Sequence, residues 1–303
     1  MTMKAKILSK LYSSNNYKDL KKFYSSFDSD KELLGWASKR RMKKQHIKVY
    51  NPSRTKSTNI IAIIPTTDVN GAKAKRMKEL LKGIPILFND TKGEYWSLAQ
   101  SVNYTYVYAK KKFKFNWVII ANDDITVMDD IKKLQQILSA TPSDVALVTV
   151  KKSLGSVAIY KPNWIRSLIN PFLPKIMRDV YIISKKFNAN IIPITKKRFS
   201  SFGYWKDLIL YDKLTKSYQN PGDFFIINPK SLLFKDNIIL DENYINECED
   251  VDLMLRAVSN FYKTISIDFK ITSSEGGSLG AGSLRNMKSI ISRTYFYKKW
   301  ARL

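Results

Sequence analysis

The chain contains very little of the two residue types that most often bind metals or react covalently. It has one cysteine, Cys248, and one histidine, His46, among 303 residues. A single cysteine excludes a framework of disulfides within the chain and is typical of a reducing compartment. His46 lies in the basic run SKRRMKKQHIK, where a lone histidine is usually solvated, so we expect the chemistry of this protein to proceed without histidine.

Long apolar runs are also missing. The amino-terminal sequence MTMKAKILSKLYSS lacks an apolar stretch long enough for a signal peptide. No run approaches the roughly 18 apolar residues of a membrane-spanning helix. We therefore expect a cytoplasmic protein that reaches a membrane, if at all, by lying on the inner face as a peripheral protein.

Acidic residues are half as numerous as basic ones. The chain has 26 Asp and Glu against 52 Lys and Arg, which gives a formal net charge of +26. A field of this sign attracts the phosphates of nucleic acid, of anionic lipid headgroups or of a phosphorylated small substrate. Hydrophobic residues make up 44% of the chain, so we expect a globular protein with an ample core and not a disordered one.

Residues 1–56 are polar, basic and poor in strand patterns. Four apolar positions in this region recur at helical spacing: Leu20, Phe23, Tyr24 and Phe27. With lysines around them, they predict a basic amphipathic helix that packs against the body, the alternative being a helix that contacts a membrane. NPSRTKSTN predicts a linker, so we expect a helical extension over residues 1–56 and one domain over residues 57–303.

From residue 57 onward, short apolar runs alternate with helical patterns. Strands are predicted in NIIAIIPTTD, IPILFND, NWVIIANDD and DVALVTV, and helices in AKRMKELLKG, WSLAQSVNYTYVYAKK and MDDIKKLQQILSA. The alternation predicts an α/β sheet with helices on both faces. Because such sheets bind ligands at the carboxyl ends of their strands, the polar residues after three strands are candidate contacts. They are Thr66, Thr67 and Asp68; Asn89 and Asp90; and Asn122, Asp123 and Asp124.

The region from about 151 to 219 is less regular and more basic. A helical apolar stripe runs from Trp164 to Val180 and is interrupted by Pro171 and Pro174. Five basic residues flank it: Arg166, Lys175, Arg178, Lys185 and Lys186. Apolar bulk with positive charge suits shallow insertion at an anionic membrane surface. The alternative is that the stripe packs under a substrate cleft and that the charges are solvated.

The acids that the chain does contain are concentrated in INECEDVDLMLRA, residues 245–257. The apolar spacing predicts a helix that begins near Glu247. Acids in its first turn would stabilise the helix dipole by about 0.3–1 kcal/mol each, and Asp252 with Arg256 forms an i, i+4 pair worth a few tenths of that unit. A carboxylate at the mouth of a sheet can also act as a general base or bind a metal ion.

ANDDITV is a second acidic site, directly after the apolar strand WVIIA. Two adjacent acids at the carboxyl end of a strand suit a divalent cation that bridges the phosphates of a nucleotide. The alternative is a hydrogen-bonded turn or a cap for the next helix.

Taken together and in this order, four segments resemble the family 2 inverting glycosyltransferases of the GT-A fold. WSLAQSVNYTYVYA resembles the segment before that family's metal motif, and NDD at 122–124 resembles its Asp-x-Asp motif. LDENYINECEDVDLMLRA resembles its Glu-Asp-x-Asp segment, which is the most specific of the four. SEGGSLG with RTYFYKKW resembles its His-x-Gly-Gly-Ser loop and the basic helix behind that loop.

The resemblance implies a GT-A mixed sheet and the transfer of a sugar from a nucleotide-diphosphate sugar to a hydroxyl of a glycan or lipid-linked acceptor. It implies that Asp250 is the general base and that Glu249 hydrogen-bonds the acceptor or orients Asp250. It implies that Mg²⁺ or Mn²⁺ is held by Asp124, with help from Asn122 and Glu275. It implies nucleotide-sugar contacts for a larger set: Thr66, Thr67, Asp68, Gln100, Asn103, Asn122, Asp123 and Gly222.

The chain departs from the family pattern in three respects. Asn122 removes one carboxylate of the metal motif. Ser274 stands where the family has a loop histidine, so Glu275 or Ser278 would have to contribute to the metal site. The stretch between IIAIIP and NDD is shorter than two strand–helix units; either one unit is missing, or HIKVYN forms a reduced first strand and Asp68 becomes the base-reading aspartate.

Two other functions are compatible with the sequence. A basic nucleic-acid-binding protein would use its lysines and arginines to neutralise phosphates. The chain contains no nucleic-acid-binding motif that we recognise, and its acids lie at the predicted cleft, so no specific nucleic acid partner is expected. A catalytically inactive relative of the transferases is the other alternative, and the presence of both Asp124 and Asp250 argues against it.

Overall fold

A computed structural model describes most of the chain. The described residues are 3–40, 46–91, 98–150, 156–159, 175–189, 191–194, 222–245, 247–273 and 283–300. The helices are α1 (Met3–Ser13), α2 (Tyr17–Ser25), α3 (Asp30–Lys39), α4 (Ala72–Leu80), α5 (Leu98–Lys112), α6 (Ile131–Ala140), α7 (Lys175–Lys186), α8 (Glu249–Ser259) and α9 (Ser283–Trp300). The strands are β1 (Ile47–Tyr50), β2 (Ile60–Thr66), β3 (Ile86–Asp90), β4 (Trp117–Ala121), β5 (Ile125–Met128), β6 (Val145–Val150), β7 (Ser156–Ile159), β8 (Ile191–Ile194), β9 (Phe224–Ile227), β10 (Lys263–Ile267) and β11 (Ile271–Ser273).

Seven strands form one sheet in the order β1-β3-β2-β4-β9-β6-β10. β2 pairs in parallel with β3 and β4, and β10 pairs in parallel with β6. β9 is antiparallel to both of its neighbours, and β1 is antiparallel to β3. β4 and β6 are buried along their whole length, and β2 is buried at every position except Pro65, which explains why these strands are nearly continuous apolar runs and not alternating ones.

Helices cover both faces of this sheet. On one face α4 and α6 pack against the even-numbered positions of β2, and on the other face α5 and α8 pack against the odd-numbered ones. The predicted α/β sheet with helices on both faces is confirmed. The chain runs from β2 through α4 to β3, which lies on one side of β2, and then through α5 to β4, which lies on the other side. Because the direction of the strand order reverses here, the carboxyl ends of β2 and β4 form a topological switch point.

HIKVYN forms β1 at the edge of the sheet. Its residues run antiparallel to β3, with Ile47 opposite Asn89 and Tyr50 opposite Ile86. The sequence left open whether a strand–helix unit is missing or HIKVYN is a reduced first strand. The segment does form a strand, but an antiparallel one, and the first strand of the parallel series is β2. Residues 47–50 belong to the sheet although they precede residue 57.

The amino-terminal helices form a separate apolar cluster with α7 and α9. The four apolar positions of the predicted helix are all buried there: Leu20, Phe23 and Tyr24 in α2, and Phe27 just after it. The prediction that this face packs against the body is confirmed, and the membrane alternative for it is wrong because the face is covered. Hydroxyls of Tyr12 and Tyr24 donate to the backbone oxygens of Lys288 and Met287, which fixes these helices on α9.

The predicted amphipathic stripe from Trp164 to Val180 lies mostly outside the described residues. Its end is in α7, where Val180 is buried in the cluster of the amino-terminal helices. None of the helices in the described part of the chain combines the length and the apolarity that crossing a membrane requires.

Candidate active site

The loops after β2 and β4 meet at the switch point. Thr66 ends β2, and its hydroxyl donates a 2.8 Å hydrogen bond to Oδ2 of Asp123, which follows β4. The other oxygen of Asp123 lies 3.6 Å from Nζ of Lys73 in the first turn of α4. Asp123 is buried, so this carboxylate ties the two loops and α4 together. Thr67 and Asp68 remain exposed beside it.

Asp124 lies among other carboxylates. Its pKa is raised above the ordinary value for aspartate, first by burial and then by the negative charges of Asp223 and Asp123. Lys73 opposes this shift. Crowded carboxylates raise one another's pKa because each disfavours the charge of the next, and a divalent cation relieves that repulsion.

Asp223 is a residue of this site that the sequence prediction missed. It precedes β9, and because β9 is antiparallel to β4, Phe224 pairs with Ala121 at the carboxyl end of β4. Oδ1 of Asp223 accepts a 3.3 Å hydrogen bond from the Asn122 amide, and Oδ2 accepts one of 2.8 Å from Ser273. The sequence does not reveal the antiparallel direction of β9 that places Asp223 beside Asn122.

The second acidic segment is joined to the first through Gly222. Asp250, in the first turn of α8, accepts a 3.2 Å hydrogen bond from the backbone N–H of Gly222 through Oδ2. Gly222 has φ +60°, a left-handed conformation that glycine adopts without strain, and it immediately precedes Asp223. The predicted base and the predicted metal residues are therefore linked by two consecutive residues of one loop.

Glu249 begins α8 and is 4% exposed. Its Oε2 is buried without a hydrogen-bond partner among the described residues. Burial, and next the negative charge of Asp250, raise the pKa of Glu249 to about 8. At neutral pH this carboxyl is therefore mostly protonated.

The residue before Glu249 has a strained backbone. Cys248 is the N-cap of α8 and has φ +70°, in the left-handed region that residues other than Gly, Asn and Asp rarely adopt. It is buried, and Glu247 beside it forms two hydrogen bonds, of 2.8 and 3.0 Å, with the guanidinium of Arg293 in α9. This turn sets the direction in which α8 begins, and with it the positions of Glu249 and Asp250 in the first turn of that helix.

Asn103 is used inside the protein and not at its surface. Its Oδ1 accepts hydrogen bonds from the N–H groups of Ile239 and Leu240, and its Nδ2 donates to the Leu240 oxygen and to Glu242. The residue is 4% exposed and has no polar group left for a nucleotide. We therefore correct its predicted role: Asn103 fixes the loop that leads to the acidic segment. Gln100, one turn earlier in α5, is half-buried.

The polar pair that ends β3, Asn89 and Asp90, is also internal. Nδ2 of Asn89 donates to the Thr105 hydroxyl at 3.0 Å, and the N–H of Asp90 donates to the backbone oxygen of His46 at 2.7 Å. Both residues of the pair are buried, so they hold β1 and α5 on β3.

No group of three His, Cys, Asp or Glu side chains within the described residues is arranged to hold a metal ion. The predicted ligand Glu275, and Ser274 and Ser278 near it, lie outside those residues. Magnesium usually binds one or two protein carboxylates and completes its shell with water and substrate phosphates. Asp124 and Asp223, whose charges interact, are the carboxylates here that could serve as such a pair.

Comparisons with known proteins assign no family to this chain. No protein-family model matches it, and no curated protein matches it with significance. Function must therefore be argued from the site itself.

Replacing Glu249 by Gln is expected to remove a pH dependence of stability. The folded protein keeps the proton of Glu249 up to about pH 8, whereas an unfolded glutamate releases it near 4.5. The wild-type free energy of unfolding therefore falls as pH rises through this window, by about 2 kcal/mol from pH 5.5 to 7. Urea denaturation of both proteins at these two pH values measures the difference, in which other titrating groups cancel. Parallel pH profiles would mean that Glu249 is ionised in the folded protein.

Proposed function

We propose that the chain is an inverting glycosyltransferase with a GT-A-type sheet, which moves a sugar from a nucleotide-diphosphate sugar to a hydroxyl of a glycan or lipid-linked acceptor. One observation carries the proposal. The dipeptide Gly222–Asp223 contacts Asp250 on one side and Asn122 on the other. A candidate base and a candidate cation site thus adjoin at the carboxyl end of the sheet, where α/β proteins bind ligands.

The nucleotide would lie across the switch point. Thr67 and Asp68 after β2 are exposed there, and Asn122 after β4 is partly exposed. The Asp68 carboxylate already accepts a 2.9 Å hydrogen bond from the N–H of Asn70, so its loop is held in a fixed turn. A polar loop fixed in this way can bind a base or ribose without first paying for its own ordering.

Asp250 is the group that would remove the acceptor proton. A sugar hydroxyl is a weak nucleophile until a base takes its proton in the transition state. Because the neighbouring Glu249 is mostly protonated at neutral pH, it does not compete for that proton. Attack from the face opposite the leaving diphosphate inverts the anomeric carbon.

The carboxylates alone would repel a diphosphate. Asp124 and Asp223 would hold Mg²⁺ or Mn²⁺, which when bound stabilises the negative charge that develops on the leaving group. Lys73 lies beside Asp123 and adds a fixed positive charge at the same place. We expect Asn122 to act through its hydrogen bond to Asp223 and not as a charged ligand.

The proposal is tested by screening UDP-, GDP- and dTDP-sugars with Mn²⁺ by thermal shift and donor hydrolysis. A donor at 100 times its dissociation constant stabilises the folded protein by about 2.7 kcal/mol. Asp124→Ala should weaken binding of both Mn²⁺ and the donor, whereas Asp236→Ala, which changes an exposed acid near the opposite end of the sheet, should not. Full activity in excess EDTA would contradict the role of Asp124.

Three results separate the alternatives. Donor binding without hydrolysis or transfer, under any metal condition, would indicate an inactive relative. Binding of RNA or DNA that falls steeply with salt, without affinity for any sugar nucleotide, would indicate a nucleic-acid-binding protein. Stabilisation by a single class of donor, together with its hydrolysis, supports the transferase and identifies the nucleotide.

A further inference from the structure

The end of the sheet opposite the candidate active site has an unusual surface. β2, β4, β6 and β10 begin at this amino end, and β9 ends there, as the pairs Ile60 with Trp117 and Val118 with Ile227 show. Three large apolar side chains are exposed at this end: Leu232, Ile238 and Phe261. We call these three residues and the exposed lysines Lys56, Lys110, Lys114, Lys230, Lys235 and Lys263 the amino-end surface.

Phe261 is the most informative of the three. Its side chain is 97% exposed, and its backbone is left-handed, with φ +59°. The N–H of Phe261 donates to the Val258 oxygen and that of Tyr262 donates to the Ala257 oxygen, a helix ending at which glycine is the preferred residue. A phenylalanine at this position strains the backbone and adds nothing to the core. Neither local conformation nor packing within the described residues accounts for its presence.

Leu232 begins a short 3₁₀ turn, Leu232–Phe234, and Ile238 follows that turn. Phe234 of that turn is 1% exposed, whereas Leu232 and Ile238 are 68% and 46% exposed. Both lie in the segment that follows β9, and Ile238 is two residues from Leu240, which Asn103 holds in place. The segment is therefore held by buried contacts at Phe234 and Leu240, while the side chains of Leu232 and Ile238 are exposed to solvent.

Exposed lysines lie in the segments at this end of the sheet: Lys56, Lys110, Lys114, Lys230, Lys235 and Lys263. Hydrogen bonds involve several of them. The N–H of Lys114 donates to the Lys56 oxygen, Nζ of Lys110 donates to Asn237, and Nζ of Lys230 donates to Asn116. Lys263 is paired with Asp144.

We propose that the amino-end surface docks on an anionic lipid bilayer, with Phe261, Leu232 and Ile238 entering the headgroup region and the lysines neutralising lipid phosphates. The exposed acids Asp144 and Asp236 also lie at this end, among the more numerous lysines. Exposed apolar groups among mainly basic residues are the chemistry of peripheral membrane binding. Nucleic acid would also attract the lysines, and Phe261 could stack on a base. Leu232 and Ile238 have no flat ring to stack, however, and they favour lipid.

This orientation also bears on the acceptor, a point that rests on the proposed function. β2 has seven residues, so at about 3.3 Å per residue the candidate active site lies roughly 20 Å from the docking surface. On the transferase proposal, the acceptor hydroxyl lies at the end of a glycan that extends from the membrane, and not on the lipid phosphate itself.

The test uses the full chain, with vesicle sedimentation as the readout. The protein should sediment with vesicles that contain phosphatidylglycerol, remain in solution with phosphatidylcholine alone, and dissociate as salt rises. Phe261→Gly removes the exposed ring and also relieves the left-handed strain, so the fold should be retained or stabilised while vesicle binding falls about fivefold or more. The matched control is Val127→Ser, which removes an apolar side chain 62% exposed in β5; it should bind vesicles as the wild type does.

Each outcome decides the proposal. Unchanged vesicle binding by Phe261→Gly would overturn it, as would equal binding to neutral and anionic vesicles. Absence of vesicle binding, with a single-stranded oligonucleotide bound and that binding lost in Phe261→Gly, would assign the surface to nucleic acid instead. Sugar-nucleotide binding should be the same in Phe261→Gly and wild type, so failure of the transferase proposal leaves this test intact.

Discussion

Replacing Asp250 by Asn is expected to lower sugar transfer by about a hundredfold or more, the usual size of a general-base contribution, while donor binding persists. An amide oxygen can still accept the hydrogen bond that Gly222 donates to Oδ2 of Asp250. The loop that joins the two acidic sites should therefore keep its place. What the variant loses is the ability to take the acceptor proton.

The measurement compares transfer rate and donor affinity in the same preparation. Asp236→Asn is the control, since it makes the same chemical change on an exposed surface. Transfer by Asp250→Asn near the wild-type rate would assign the base elsewhere. Glu249 would be the next candidate, and its raised pKa then predicts that activity rises with pH as the carboxyl ionises near pH 8.

The sheet could be predicted from the sequence because a strand that is buried on both faces is recognisable as a short, nearly continuous run of apolar residues. β2, β4 and β6 are continuous apolar runs, and the helices between them have one apolar face each. The direction of β9 could not be predicted, because an apolar run has the same pattern in a parallel strand and in an antiparallel one. β1 was left open for a related reason: three of its four residues are exposed, so its side chains do not reveal the edge position.

Sequence order anticipated the position of some residues around the candidate site and not of others, for a similar physical reason. Residues that follow a strand in the chain were found, since sequence order gives their place. Asp223 was missed because it precedes its strand and reaches the site only through an antiparallel pairing. Asn103 was assigned to the nucleotide because the sequence does not show that a distant loop, at Ile239, Leu240 and Glu242, occupies its side-chain hydrogen bonds.

The sequence predicted the Asp252–Arg256 ion pair but not its environment. Nε of Arg256 lies 2.9 Å from Oδ2 of Asp252, as the helical spacing requires. The carboxylate is 0% exposed and also accepts hydrogen bonds from the hydroxyl of Tyr244 and the indole N–H of Trp300. Nζ of Lys299 lies 2.7 Å from Oδ1. A pair that would be worth a few tenths of a kcal/mol on an exposed helix is thus the centre of a buried network that holds α8 on α9.

Asp252→Ala is therefore expected to cost about 3–5 kcal/mol of folding free energy, because removing one partner of a buried ion pair leaves the other charge uncompensated. The control is Asp144→Ala, which breaks the exposed pair with Lys263 and should cost no more than about 1 kcal/mol. Urea denaturation of the two variants measures the contrast. Lys299 keeps a second carboxylate, Asp241 at 2.7 Å, so most of the cost should come from Arg256 and the hydrogen bonds of the network. Equal losses in the two variants would mean that water reaches Asp252 and that α9 is held by apolar packing alone.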